Sequence, residues 1–207
     1  MKHREPRPLL WLALGVALVV VSQFRFGVGA LAWVAPVAWL RYLRLTHGWR
    51  SRLLFLGAMW LAWNAAVLKI VTGPIPPVMA LGFGLPIGAV FAAAMLAHDA
   101  IRRRVYADLA TLGFAALMVL AEWSLHGLMP FGTWGSAANT QLDQLALLQL
   151  ASVTGLHGVS FLMYPVAGVI ERALAGERAP LRRWAWGLTL TMVIVVSAGQ
   201  ARLASSS

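Results

Sequence analysis

Residues 77–96 read Pro-Val-Met-Ala-Leu-Gly-Phe-Gly-Leu-Pro-Ile-Gly-Ala-Val-Phe-Ala-Ala-Ala-Met-Leu. No charged side chain interrupts the run. As a helix rising ~1.5 Å per residue it would cover ~30 Å, the hydrocarbon thickness of a bilayer. Arg102, Arg103 and Arg104 follow shortly after it. The same alternation of apolar run and short connection repeats along the chain, near 9–24, 27–45, 53–71, 77–96, 108–123, 145–169 and 184–203. Composition agrees: 60% of the 207 residues are hydrophobic and 12% are charged, against ~45–50% and ~25% in soluble domains. Mean hydropathy is +0.74. A soluble fold of this length could not hide so much apolar surface, so lipid must solvate much of it. The expected fold class is all-α, a polytopic membrane helical bundle of about seven transmembrane helices, forming one domain over residues 1–207.

The net charge of +10 fits membrane orientation and not nucleic-acid binding, because the basic residues sit in the connections. Lys2, Arg4 and Arg7 precede the first run. Arg41, Arg44, Arg50 and Arg52 follow the second, Arg102 to Arg104 the fourth, and Arg172, Arg178, Arg182 and Arg183 the sixth. The intervening connections hold only Arg25, Lys69 and Arg202. Seven spans therefore put fourteen basic residues on one side and three on the other. Basic connections stay cytoplasmic, which predicts an inside N-terminus and an outside C-terminus. The basic start also suits a signal peptide, with Val28-Gly29-Ala30 as a weak cleavage motif, but the run is long for one and more runs follow at once.

Polar residues within the runs are few. Asn64 reads best as an interhelical hydrogen-bonding group, Lys69 as a snorkelling end residue, and Gly84 with Gly88 as a close helix contact. The connection 124–144 is different. It is long, lacks Lys and Arg, and is rich in Gly and aromatic residues, so it reads as a re-entrant-like loop packed onto the bundle. Glu122 and His126, four apart, are placed to pair.

Several kinds of chemistry are missing. The chain has no cysteine, hence no thiolate nucleophile or ligand. His3, His47, His98, His126 and His157 show no metal-ligand spacing. Neither Ser136 nor Ser160 lies in a nucleophile elbow. Neither a catalytic set, a metal site nor a cofactor site can be assembled.

One stretch resembles a known family. Glu122 with Gly127, then Pro130-Phe131-Gly132-Thr133-Trp134-Gly135, Gln141, Gln149, and Ala151 to Leu162 with Gly155, Gly158 and Ser160, resemble the membrane domain of apolipoprotein N-acyltransferase. Residues 31–41 look like its second span. The resemblance implies a helical platform that carries a nitrilase-like catalytic domain. The family's Glu-Lys-Cys triad takes an acyl group from a membrane phospholipid and passes it to a diacylated lipoprotein. No triad residue can be placed here, since Cys is absent and the only lysines are Lys2 and Lys69. The chain is therefore expected to be inactive alone, as the product of a truncated gene, a subunit of a split enzyme or a partial record. By resemblance Glu122, Pro130, Phe131, Trp134, Gly135 and Gln141 border a lipid and lipoprotein mouth. The alternative is a membrane binding or transport protein without enzymatic activity.

Overall fold

The computed structural model describes residues 8–71, 76–130, 132–177 and 181–206. Nine α-helices and one 3₁₀ helix account for most of the described residues. They are α1 (Pro8–Ser22), α2 (Gly29–Ala32), α3 (Ala35–Leu45), α4 (Trp49–Val67), α5 (Met79–Ile101), α6 (Ala107–Leu128), the 3₁₀ helix Ala137–Gln141, α7 (Leu145–Leu148), α8 (Ala151–Leu174) and α9 (Leu181–Ser206). Residues 81–101, 107–128, 151–174 and 181–205 are long and apolar enough to cross a membrane by length and composition.

Each apolar run gives helix, but two are broken. The run 27–45 splits into α2 and α3, with Pro36 in the first turn of α3. Proline has no N–H to give there, and the first-turn N–H groups of a helix have no intrahelical acceptor anyway, so Pro36 starts a helix and does not kink one. The run 145–169 splits into α7 and α8, and α8 itself bends at Gly155, whose φ of 69° and ψ of 176° are not helical. A side chain would be strained at that φ. The run 77–96 continues as helix to Ile101, through the polar His98 and Asp99, because a helix can carry polar residues once it reaches the bilayer surface.

Inside the bundle α4 packs on α5, α6 on α8, and α1 on α3 and α4. Between apolar helices in lipid, contact area alone drives little association. Close approach and dispersion do more. Gly84 and Gly88 provide it on α5: a Cβ at Gly84 would lie 2.7 Å from the Asn64 side chain, and one at Gly88 3.2 Å from the Met59 carbonyl. Asn64 itself donates to Trp60 O of its own helix at 2.8 Å, a correction to the expected interhelical bond. Trp39, Phe55, Phe91, Phe114 and Met163 fill the centre, with Trp63 and Phe91 stacked at 5.1 Å.

The two ends of the bundle differ. At one, ion pairs tie the basic connections together. Asp99 receives Arg52 and Arg102. Arg44 pairs with Glu171 at 2.7 Å and Glu177 at 2.6 Å. Arg172 reaches Glu177 at 3.1 Å and Asp108 at 3.6 Å. Arg183 joins Asp108 at 3.0 Å. At the other end Lys69 Nζ donates to Val20 O at 2.6 Å, so its ammonium caps one of the last carbonyls of α1.

Candidate functional site

The 129–144 segment lies across the end away from the ion pairs, and one carboxylate holds it there. Glu122 is near the close of α6 and only 4% exposed. Its Oε1 accepts from Ala137 N at 2.8 Å and Tyr164 OH at 2.6 Å. Its Oε2 accepts from Ser136 Oγ at 2.9 Å and stands 3.6 Å from His157 Nδ1. Ser160 Oγ shares a hydrogen bond with Ser136 Oγ at 3.2 Å and accepts from Ala138 N at 3.1 Å. A buried carboxylate is costly unless its oxygens are filled. Here a backbone N–H and two hydroxyls fill them. α6 supplies the acceptor, α8 supplies Ser160 and Tyr164, and the segment supplies Ser136 and two backbone N–H groups.

His157, Ser160 and Tyr164 can serve together because positions three and seven apart share one face of a helix. His126, the expected partner of Glu122, is instead near the His157 ring, with centroids 6.1 Å apart. An i,i+4 pair was available in sequence, but Glu122 points into the bundle, where α8 offers better donors.

The segment then folds tightly. Asn139 Nδ2 donates to Thr133 O at 2.7 Å, and Ser136 N donates to Thr133 O at 3.0 Å. Gly135 has a φ of +84°, a left-handed conformation that favours glycine. A Cβ there would also press on Ile87 at 3.1 Å and Trp63 at 3.3 Å. Trp134 meets Phe24 and Phe83 edge-on at 6.0 and 6.2 Å. Gln141, 3% exposed, donates to Gly29 O at 2.8 Å and accepts from Trp33 Nε1 at 3.0 Å. A Cβ on Gly29 would collide with the Thr140 carbonyl, so α2 and the 3₁₀ helix touch backbone to backbone.

Of the six residues singled out in sequence, Glu122, Trp134, Gly135 and Gln141 are all engaged in fixing this segment. Pro130 is exposed beside it, and Phe131 lies outside the described residues. Sequence reasoning missed Tyr164 and the pairing of Ser136 with Ser160. The signal was there in part, in the spacing of His157, Ser160 and Tyr164 along one helix face. Ser136 and Ser160 are buried and bonded to one another, which leaves neither hydroxyl open to a substrate. Among the described residues no three His, Asp or Glu side chains are placed to hold a metal ion. The arrangement's capacity is to hold backbone in place at the end of a helical bundle, with aromatic rings around it.

Such a domain is a membrane helical platform with a braced end loop. The chain belongs to the apolipoprotein N-acyltransferase family: residues 10–169 match the family model described as the apolipoprotein N-acyltransferase N-terminal domain. The match takes in α2 to α7 whole, all but the start of α1 and all but the last turn of α8, and ends before α9. No curated protein and no solved structure matches the chain.

Proposed function

We propose that the chain is the multi-pass membrane domain of a lipoprotein N-acyltransferase of the bacterial inner membrane. In this reading seven spans put the ion-paired end in the cytoplasm, and the braced loop and the C-terminus of α9 on the outer face. The family match carries the assignment. The distribution of charge supports the sidedness, since basic connections resist export.

The platform's work is to present a lipid-facing mouth to a nitrilase-like catalytic domain. A membrane phospholipid gives the acyl group, and a diacylated lipoprotein receives it. Pro130, Phe131, Trp134, Gly135 and Gln141 border the mouth, and Glu122 braces it from beneath. The bracing matters because transfer between two lipid-anchored molecules needs both held in one geometry. These 207 residues contain no cysteine and so supply no thiolate for a thioester route.

The test is complementation of a bacterium depleted of its own acyltransferase. The 207 residues alone should give no growth. The same residues expressed with a nitrilase-like domain from a family member should restore it. Growth with the 207 residues alone would overturn the claim that they need a catalytic partner. Failure of the pair, with membrane insertion verified, would overturn the assignment.

A further inference from the structure

The ion-paired end contains a cavity of about 180 Å³. That is close to the ~150 Å³ that holds one benzene molecule in an engineered protein core. Residues of α3, α5, α6 and α8 wall it, and Glu177 borders it just beyond the end of α8. It therefore lies among the helices and not on the lipid-facing surface. It has no room for the two acyl chains of a glycerolipid.

The surroundings are more cationic than the carboxylates there can match. Arg44, Arg102 and Arg172 stand on the wall with Glu171 and Glu177. Among the described residues, the ion pairs of this end join seven arginines to only four carboxylates. Ala107, the first residue of α6, is also on the wall. The N–H groups of a helix's first turn have no acceptor within the helix, and the helix dipole is positive there.

Arg172 gives the cavity its chemical preference. It is only 5% exposed. Its Nε donates to Glu177 at 3.1 Å, and its Nη1 donates to Ala107 O and Thr111 Oγ1, both at 3.0 Å. Its Nη2 is buried and has no acceptor among the described residues. A buried cationic donor left unmet is costly. What completes the guanidinium is an acceptor, and the surplus of positive charge favours an anionic one. Water would accept the bond but leave the charge surplus. An oxyanion does both, and it suits a planar guanidinium beside a helix N-terminus.

We infer that this cavity is a binding site for one small soluble oxyanion of the phosphate class, taken from the aqueous phase and held by Arg172, Arg44, Arg102 and the first turn of α6. The bound ion ties α3, α5, α6 and α8 together at the ion-paired end. The site lies at the opposite end of the bundle from the proposed mouth and takes no part in acyl transfer.

The experiment is isothermal titration calorimetry of the whole chain with inorganic phosphate, in a phosphorus-free detergent at fixed ionic strength. One saturable site per chain is expected. Arg172→Gln should weaken it about tenfold or more. Arg104→Gln, at an exposed position outside the cavity, should change it less than about twofold. No saturable binding, or equal loss in both variants, would overturn the site. Should Arg172→Gln fail to fold, Val105 decides the matter, since it lines the cavity from the connection between α5 and α6. Val105→Glu sets a carboxylate against the anion and should weaken phosphate about tenfold, while Val105→Gln should not. Equal affinity in these two variants would contradict the site. A second arm separates a soluble anion from a lipid head group. In nanodiscs phosphate should bind alike whether the lipid is phosphatidylcholine alone or includes phosphatidylglycerol. Abolished binding with phosphatidylglycerol would make the occupant a head group and overturn the inference. None of these readouts requires acyl transfer, so a failure of complementation leaves this inference intact.

Discussion

The two ends of the bundle are held together by opposite means. At the ion-paired end Asp99, Asp108, Glu171 and Glu177 each meet two or more cationic side chains. Losing one contact leaves others. At the braced end a single buried carboxylate, Glu122, gathers the donors of two helices and a loop. The first arrangement is redundant and open to solvent at Asp108 and Glu177. The second is neither. The difference teaches where a substitution should hurt: charge is dense at the end that tolerates change and sparse at the end that does not.

The largest effect is expected from Glu122→Ala. It leaves Tyr164, Ser136 and Ala137 N–H, all buried, without their acceptor. Each buried donor left unmet costs ~1–3 kcal/mol, so the domain should lose several kcal/mol in a thermal or denaturant titration in detergent. Protease cutting within 129–144 should rise with it. Unchanged stability would show that the brace is incidental. Gly135→Ala should come next. The left-handed backbone and the contacts with Ile87 and Trp63 together make a cost of ~1–3 kcal/mol reasonable, read as a lower melting temperature. Gln141→Leu follows. It removes the bonds to Trp33 and Gly29 and should cost ~1–2 kcal/mol, together with a shift in Trp33 fluorescence.

The smallest effect is expected at the ion-paired end, and it is a pH effect. Burial pushes the Glu177 carboxyl up, but the hydrogen bonds and charges of Arg44 and then Arg172 hold it below its usual value of 4.5. A carboxyl with a depressed folded-state value stabilises above its unfolded value, and that contribution is lost as pH falls through the folded one. Glu177→Gln should therefore flatten the fall of melting temperature below about pH 4.5, while changing stability at pH 7 by less than ~1 kcal/mol, since the group is more than one-third exposed. A larger loss at neutral pH than Glu122→Ala produces would reverse the comparison.

The helical fold was legible because hydrophobicity alone marks a helix that must satisfy its backbone inside lipid. The breaks were harder. Pro36, inside one apolar run, starts a helix, while Pro86 and Pro165 lie inside α5 and α8. Neighbouring helices decide which happens, and they are not visible in a local window. The candidate site was legible in its residues and not in its pairings. Glu122, Trp134, Gly135 and Gln141 stood out by type and by family resemblance. Their partners, Tyr164 forty-two positions away from Glu122 and Gly29 one hundred and twelve from Gln141, depend on which helices adjoin.

The most direct measurement uses side-specific thiol labelling in intact cells. Two single-cysteine variants suffice, at the exposed positions His47, in the ion-paired end, and Asp143, in the braced end. A membrane-impermeant maleimide should label Asp143→Cys in whole cells and His47→Cys only after the inner membrane is opened. Labelling of His47→Cys from outside, or protection of Asp143→Cys until permeabilisation, would contradict a platform whose braced end faces outward.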